Sequence, residues 1–488
     1  MLGHPKGLYV LFMTEMWERF SFYTMRAILV LYLVSVVFAD MTGDAQAIRD
    51  RALEVYGTYL LLVYLSGLVG GFFADKVLGS RKAIFIGGIV MGTGLFVMME
   101  PSLVFYGLGL VITGNGFFKP NISTIVSGLY GEGDKRRDGA FTIFYMGINI
   151  GAFLAIFSAG YAEKINNWNL GFVIAGVGMI VSLAVFAAGQ KHLGTAGFPP
   201  GRTITADACL TSRDARDIVL WSVVMTALVL GVVFLWNHGL APLWAMVPGM
   251  AKLIGGILLI VAAIGGFVAV NRDNAREEWE RIISIVILSV FVIFFWAGFE
   301  QAGGTMNLFA YEQTDRHFFR WEIPATWFQG VNPLFIVLLA PLFSILWNRL
   351  DRSRFSLSTP AKMGIGMIVL GLGFVVMYFG EGVAEQYGKA GMGWLIAVYL
   401  LHTMGELCLS PIGLSMVTKL SPVRRVSLMM GVWFACTAIA DYLSGRMEAI
   451  TNAFGINLWA TLIATSIGAG VLLLFLTPLL KRWMHGRA

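Results

Sequence analysis

Charge is what this sequence is short of. Only 13% of its 488 residues are Asp, Glu, Lys or Arg, 57% are hydrophobic, and the mean hydropathy is +0.74. Soluble domains carry about a quarter charged residues, so an ordinary water-soluble fold is excluded. Cysteine is scarcer still. Cys209, Cys408 and Cys436 stand alone, with no CxxC and no histidine cluster at ligand spacing, which argues against a disulfide framework and against a metal site. The chain also lacks HExxH and a GxSxG elbow, and the His402 and Glu406 pair at i,i+4 has no evident third ligand, so no enzyme is expected. A basic stripe interleaved with aromatics is missing too, which removes the case for a nucleic-acid partner.

What remains is a series of long apolar runs. A helix needs roughly 20 apolar residues to cross a hydrocarbon core of about 30 Å. Runs of that length fall near residues 10–38, 53–74, 83–99, 103–128, 140–162, 170–189, 218–236, 250–270, 282–303, 327–347, 363–380, 393–418, 427–448 and 459–480, which makes fourteen. The sequence therefore predicts an all-α integral membrane protein lying in a lipid bilayer. The first run begins with charges and has no short apolar core ending at small residues, so it is expected to remain as a helix and not to be cleaved as a signal. With the N-terminus placed in the cytoplasm, twenty-four of the thirty-five Lys and Arg fall in cytoplasmic segments and six on the opposite side. Both termini are thus expected to be cytoplasmic, and the same asymmetry accounts for the formal net charge of +6.

A polar, Gly- and Pro-punctuated stretch over 191–217 reads as a cytoplasmic linker. The two runs after it, within 218–271, hold no central carboxylate and read as an inserted hairpin against lipid. Setting that pair aside leaves six spans in 1–190 and six in 272–488, the pattern of a transporter made of two bundles around a midplane site. Gly67, Gly70 and Gly71, with Gly87, Gly88 and Gly92, are expected to allow close helix contacts.

The informative residues are charges inside the apolar runs. At about 100° per residue, Glu15, Glu18, Arg19, Phe22 and Arg26 share one helix face, with Tyr23 at its margin. A charge facing hydrocarbon costs at least about 2.5–3.5 kcal/mol, so that face must look into protein or water. Lys119, Glu300 and Glu406 lie in other spans. Four carboxylates then face three cations, and a carboxylate left unpaired in a dry site can be neutralised by a proton. Asp441 and Arg446 read as a structural pair near the end of one span, and Asp75 as part of a cytoplasmic turn.

These residues sit in recognisable blocks. EMWERFSFY on the first span, FYMGINIGAF from Phe144 to Phe153, GGFFADKVLGSRK, FFKPNIS, FWAGFEQ, FQGVNPLFI and GELCLSPIGLSMVTKLSP run in order from Glu15 to Pro422. Together they resemble the signatures of the proton-dependent oligopeptide transporters, a branch of the major facilitator superfamily, and the inserted hairpin resembles that of bacterial members. The resemblance implies a major facilitator fold in a bacterial inner membrane, and a proton-coupled symporter of di- and tripeptides that works as a monomer without a cofactor. It implies that Arg26 and Lys119 bind the peptide carboxylate, and that Glu406, with Asn332 and Asn149, binds the ammonium. Tyr23, Tyr64, Trp296 and Trp433 are implied to line side-chain pockets. Glu300 is implied to carry the coupling proton in exchange with Arg26, and Glu15, Glu18 and Arg19 to form a charge network with Lys119. Phe22 departs from the pattern, since many members have tyrosine there. The alternative is a transporter of nitrate or another small anion or zwitterion, such as an amino-acid derivative.

Overall fold

The computed structural model describes residues 3–42, 44–131, 134, 136–198, 210–240, 246, 264–351, 357–422 and 425–486. Its first half holds α1 (Lys6–Tyr32, extended by a π turn to Val37), α2 (Ala45–Phe73), α3 (Ser80–Val97), α4 (Val104–Gly128), α5 (Arg136–Lys164) and α6 (Trp168–Ala188). Then come α7 (Ser212–Leu235), α8 (Arg276–Phe299), α9 (Thr305–Glu312), α10 (Val331–Asp351), α11 (Thr359–Tyr387), α12 (Met392–Leu420), α13 (Val426–Ser444), α14 (Met447–Ala453) and α15 (Leu458–Trp483). Among the described residues twelve helical spans are long and apolar enough to cross a membrane, or thirteen when the bent pair α13 and α14 is taken as one. The eighth run, over 250–270, lies largely outside the described residues.

Local sequence explains where these helices start and stop. Asp44 accepts from the Ala47 amide at 2.8 Å, and Asn457 from the Ala460 amide at 3.0 Å, so each satisfies an amide that the first helical turn leaves without a partner. Thr211 and Asp214 close a capping box that starts α7 at Ser212, six residues before the boundary expected from hydropathy alone. The turn between α2 and α3 holds Asp75 in a π turn and closes on Gly79 at φ +74°, a conformation that suits glycine. α4 runs through Pro120 as one helix.

Two apolar cores follow from this order. One gathers residues of α1 to α6, including Leu29, Tyr32, Phe118 and Phe172; the other gathers α8 to α15, including Phe295, Phe374, Leu409 and Trp459. α7 belongs to neither. It lays Ile218, Trp221, Met225 and Val229 against Ala83, Ile86, Leu110 and Phe117 of α3 and α4, while Lys82 reaches Asp217 at 3.2 Å. Its outer face, with Val219, Leu220, Val223 and Leu228, is exposed, as a lipid-facing helix requires.

Helices touch most closely at glycines. A methyl placed on Gly70 would stand 2.1 Å from the Gly116 carbonyl, and one on Gly57 of α2 would stand 2.9 Å from Gly445, just past α13. One on Gly87 would stand 2.6 Å from the Gly114 carbonyl, and one on Gly88 2.5 Å from the Leu183 side chain. A methyl on Gly92 or Gly71 would meet its nearest neighbour only at 3.4 or 3.9 Å, and Gly67 faces open space, so periodicity placed more glycines in close contact than the structure uses. Cys408 and Cys436 are free, and Cys209 lies outside the described residues.

Gly70→Val is expected to lower stability in detergent by about 1–3 kcal/mol through overpacking. Gly67→Val should stay within about 0.5 kcal/mol. Thermal unfolding of the purified variants compares the two, and equal losses would remove the α2–α4 contact as the reason.

Candidate functional site

Between the two cores lies a cavity of about 460 Å³, of the size that small-molecule sites occupy. The first half lines it with Tyr23, Arg26, Tyr64, Lys119 and Asn149; the second half answers with Trp296, Glu300, Asn332, Glu406 and Trp433. Every residue that the sequence marked for substrate binding therefore reaches one space.

Arg26 crosses that space. Its Nη2 pairs with Oε2 of Glu300 in the opposite half, and its Nε donates to the Tyr56 hydroxyl at 2.8 Å. Glu300 is placed by a break in its helix: α8 ends at Phe299, a 3-10 turn spans Glu300–Gly303, and Gly304 takes φ −107° and ψ −107° before α9 resumes. The run GFEQAGG, with its glycines, is a local reason for the break.

On the second half's wall Asn332 donates through Nδ2 to Oε2 of Glu406 at 2.9 Å and to Oγ1 of Thr403 at 3.0 Å. Glu406 keeps room for a further donor. Asn149 donates to its own helix, at the Tyr145 carbonyl, 3.0 Å away. Lys119 has its Nζ over the Tyr64 ring, 5.1 Å from the centroid. Among the described residues no carboxylate lies within ion-pair distance of it.

Deeper on α1, Glu18 holds Arg19 through two hydrogen bonds, whereas Glu15 approaches Arg19 only at 3.4 Å and its Oε2 is buried without a partner. The charge network with Lys119 implied by the resemblance is thus only half closed, because Glu18 occupies the fork of Arg19. Phe22 packs under the Arg19 guanidinium, 4.8 Å from ring centroid to Cζ, and is absent from the cavity lining. Asp441 corrects a second reading. It makes no ion pair with Arg446, which instead reaches Glu54 of α2 at 2.5 Å and stacks on Tyr442.

The cavity is sealed at the end remote from the termini. There Arg49 joins Glu448 at 3.1 Å and also pairs with Glu312; Asn307 donates to the Ala27 carbonyl at 3.1 Å. Glu163, at the end of α5, accepts from the amides of Ala325 and Thr326 at 2.7 and 2.9 Å and from Arg316 at 3.0 Å. Each of these bonds links one half to the other.

This arrangement has known counterparts. Residues 81–463 match the profile of the POT family. The chain belongs to that family. It is 35% identical over 508 residues to the peptide transporter YePEPT of Yersinia enterocolitica subsp. palearctica, covering 99% of this chain and 96% of that one. It is 33% identical over 490 residues to a di-/tripeptide transporter of Lactococcus lactis subsp. cremoris, covering 98% and 96%. A crystal structure of peptide transporter POT in complex with sulfate superposes with a TM-score of 0.82 at 34% identity, over 100% of this chain and 97% of that chain. A POT family transporter in complex with 5-aminolevulinic acid superposes at 0.80 with 28% identity, over 98% of each.

Within this POT chain, a two-bundle membrane transporter of the major facilitator fold, the cavity also holds residues that pattern reading passed over, Tyr145, Gln329, Tyr399 and Thr437, and His402, which it had weighed only as a metal ligand beside Glu406. Tyr145 and Gln329 stand one helical turn from Asn149 and Asn332, so the helical repeat around those asparagines pointed to both. Tyr56 had no such signal, because an isolated tyrosine in an apolar helix reads as packing.

Glu163→Ala removes the acceptor of three bonds across the seal. Charge-assisted bonds contribute about 1.5–3 kcal/mol each, so the fraction open at the remote end should rise at least about tenfold. Spin labels at positions 165 and 319, in a background without native cysteines, report it; an unchanged distance distribution would mean that the seal is held elsewhere.

Proposed function

We propose that this POT transporter is a proton-coupled symporter that imports di- and tripeptides by alternating access between its two bundles. The observation that carries the reading is the placement of Arg26 on one wall of the cavity and Glu406 with Asn332 on the facing wall. A free peptide is a zwitterion, with a carboxylate at one end and an ammonium at the other. Arg26 and Lys119 offer donors to the first, and a guanidinium can do so through a planar fork. Glu406, with Asn332 and Asn149, accepts the second. Tyr23, Tyr64, Trp296 and Trp433 supply apolar walls for the side chains.

In this reading Glu300 links the proton to the peptide. While Arg26 pairs with Glu300 its fork is engaged; a proton on Glu300 cancels that attraction and frees Arg26 for the substrate. Glu15, Glu18, Arg19 and Lys119 form a second charge-dependent group deeper on α1 and α4. The division into 1–190, 191–217, 218–271 and 272–488 gives the moving parts, with the hairpin riding on the first bundle. The charge asymmetry between loops supports an inner-membrane topology with both termini cytoplasmic, so the seal faces outward and the cavity opens inward. The protein acts as a monomer and uses the proton as coupling ion, with no cofactor. A second reading, a transporter of another small zwitterion, is favoured by the relative solved with 5-aminolevulinic acid, whose ammonium and carboxylate share the layout of a peptide.

Labelled dialanine taken up into proteoliposomes tests the function. An inward proton gradient should drive accumulation, a protonophore should abolish it, and Glu300→Gln should retain peptide exchange only. No saturable dialanine uptake or binding under any gradient would sink the peptide reading, and preferential inhibition by 5-aminolevulinic acid would move it to the second. Asn332→Ala, which takes the amide from Glu406, should weaken dialanine binding by roughly five- to tenfold, about 1–1.4 kcal/mol, measured by competition.

A further inference from the structure

A further buried carboxylate, beyond the four central acids already described, stands apart from the cavity. Asp441 lies on α13 one turn before Gly445, where α13 crosses α2 at Gly57. It is 1% exposed, and its Oδ2 has no hydrogen-bond partner. Arg446, the nearest cation along the chain, is engaged by Glu54 on the far side of the crossing. The titratable and charged groups that face Asp441 are Tyr56 and Tyr64 on α2, Arg26 on α1, Lys119 on α4 and Glu300 at the end of α8. None of them is within ion-pair or hydrogen-bond distance, and Arg26 is already held by Glu300 and Tyr56.

The position is particular. One turn toward the remote end lies the Arg446–Glu54 bond of the seal; one turn the other way lies Thr437, which lines the cavity. Asp441 thus sits between outer seal and substrate space, in a contact between bundles that has to part when the remote end opens. With the contact closed, the carboxyl either carries a proton or stands as an ion out of water without a partner, which is strongly unfavourable.

We propose that Asp441 is a second proton-binding carboxyl of the transport cycle, loaded from the remote side when α2 and α13 separate and carried inward when they close. The proton adds to a carboxylate oxygen from water on opening and returns to water through the cavity. This inference rests on the proton-coupled reading above. It predicts that the protein moves one more proton per peptide than Glu300 alone accounts for.

The experiment measures protons and peptide together, with a pH dye trapped in proteoliposomes and labelled dialanine outside. Wild type serves as the test of the function: if its uptake ignores the gradient, the symport reading fails before Asp441 is in question. Given gradient-driven uptake, Asp441→Asn should still exchange dialanine but carry fewer protons per peptide, and its steady-state accumulation should drop about 50-fold per proton lost at roughly 100 mV. Asp441→Glu, which keeps a carboxyl, should hold the wild-type ratio. A wild-type ratio in Asp441→Asn overturns the proposal. Should that variant lose exchange altogether, the glutamate variant decides: a wild-type ratio supports the site, and loss in both variants overturns it.

Discussion

The pair between Arg26 and Glu300 is the interaction on which the rest of the molecule turns. Neither charge can face hydrocarbon without a penalty of several kcal/mol, so both must lie where protein or water surrounds them. They come from different halves of the chain, and their meeting fixes the seam between the bundles. Once the seam holds a charge from each side, the helices flanking it must bring polar partners as well. Tyr56 bonds Arg26, and the break in the helix after Phe299 turns Glu300 toward the first half. The cavity is what is left between these charged walls.

A single ion pair cannot hold two six-helix bundles in one orientation, and the structure shows what adds to it. At the remote end, α2 and α13 cross where two glycines let backbones touch, and Glu163 ties the end of α5 to the turn before α10. Backbone amides are fixed donors, so the Glu163 contact exists in one arrangement of the bundles and is lost in any other. Contacts of this kind make the motion a switch between packed states rather than a gradual flexing. The bonds between halves described above are gathered at the remote end. Which end carries these ties is a property that composition and spacing do not contain.

Much of this was legible in the sequence because a bilayer is a severe solvent. Fourteen apolar runs, and the charges inside them, announced a transporter of two bundles, and the charge-bearing positions Arg26, Lys119, Glu300 and Glu406 all reach the cavity. The start of α7 was misjudged because Ser212 to Asp217 is polar but helical, and only the Thr211 cap reveals it. Gly67 was taken for a contact because a helix repeat gives a face without naming what lies opposite. Asp441 was assigned to Arg446 on spacing, yet the arginine turned to Glu54, 392 positions away along the chain. Local periodicity finds which residues are buried; it does not choose between two distant partners. The seal was invisible for the same reason, since Glu163, Arg316 and Ala325 meet only through the fold.

The buried acids are ordered along the membrane normal, and that order bears on how a proton crosses. Asp441 lies below the remote seal, Glu300 and Glu406 border the cavity, and Glu15 stands eleven residues before Arg26 on α1, about 16 Å nearer the termini. Five central carboxylates, counting Glu18, face three cations, Arg19, Arg26 and Lys119. Full ionisation would leave two negative charges in excess. Arg19 is held by Glu18 and approached by Glu15 at 3.4 Å, Arg26 is bound to Glu300, and Lys119 rests on a tyrosine ring with no acid in ion-pair reach among the described residues. In the proposed cycle the unbalanced charge moves among these sites: a proton on an acid that pairs with a cation frees that cation for another partner. On that proposal a peptide carboxylate arriving at Arg26 acts in the same way as one more acid in the row. In the proposed cycle peptide and proton are coupled because they compete for, and release, the same cations, and no separate transmitting element is needed between them.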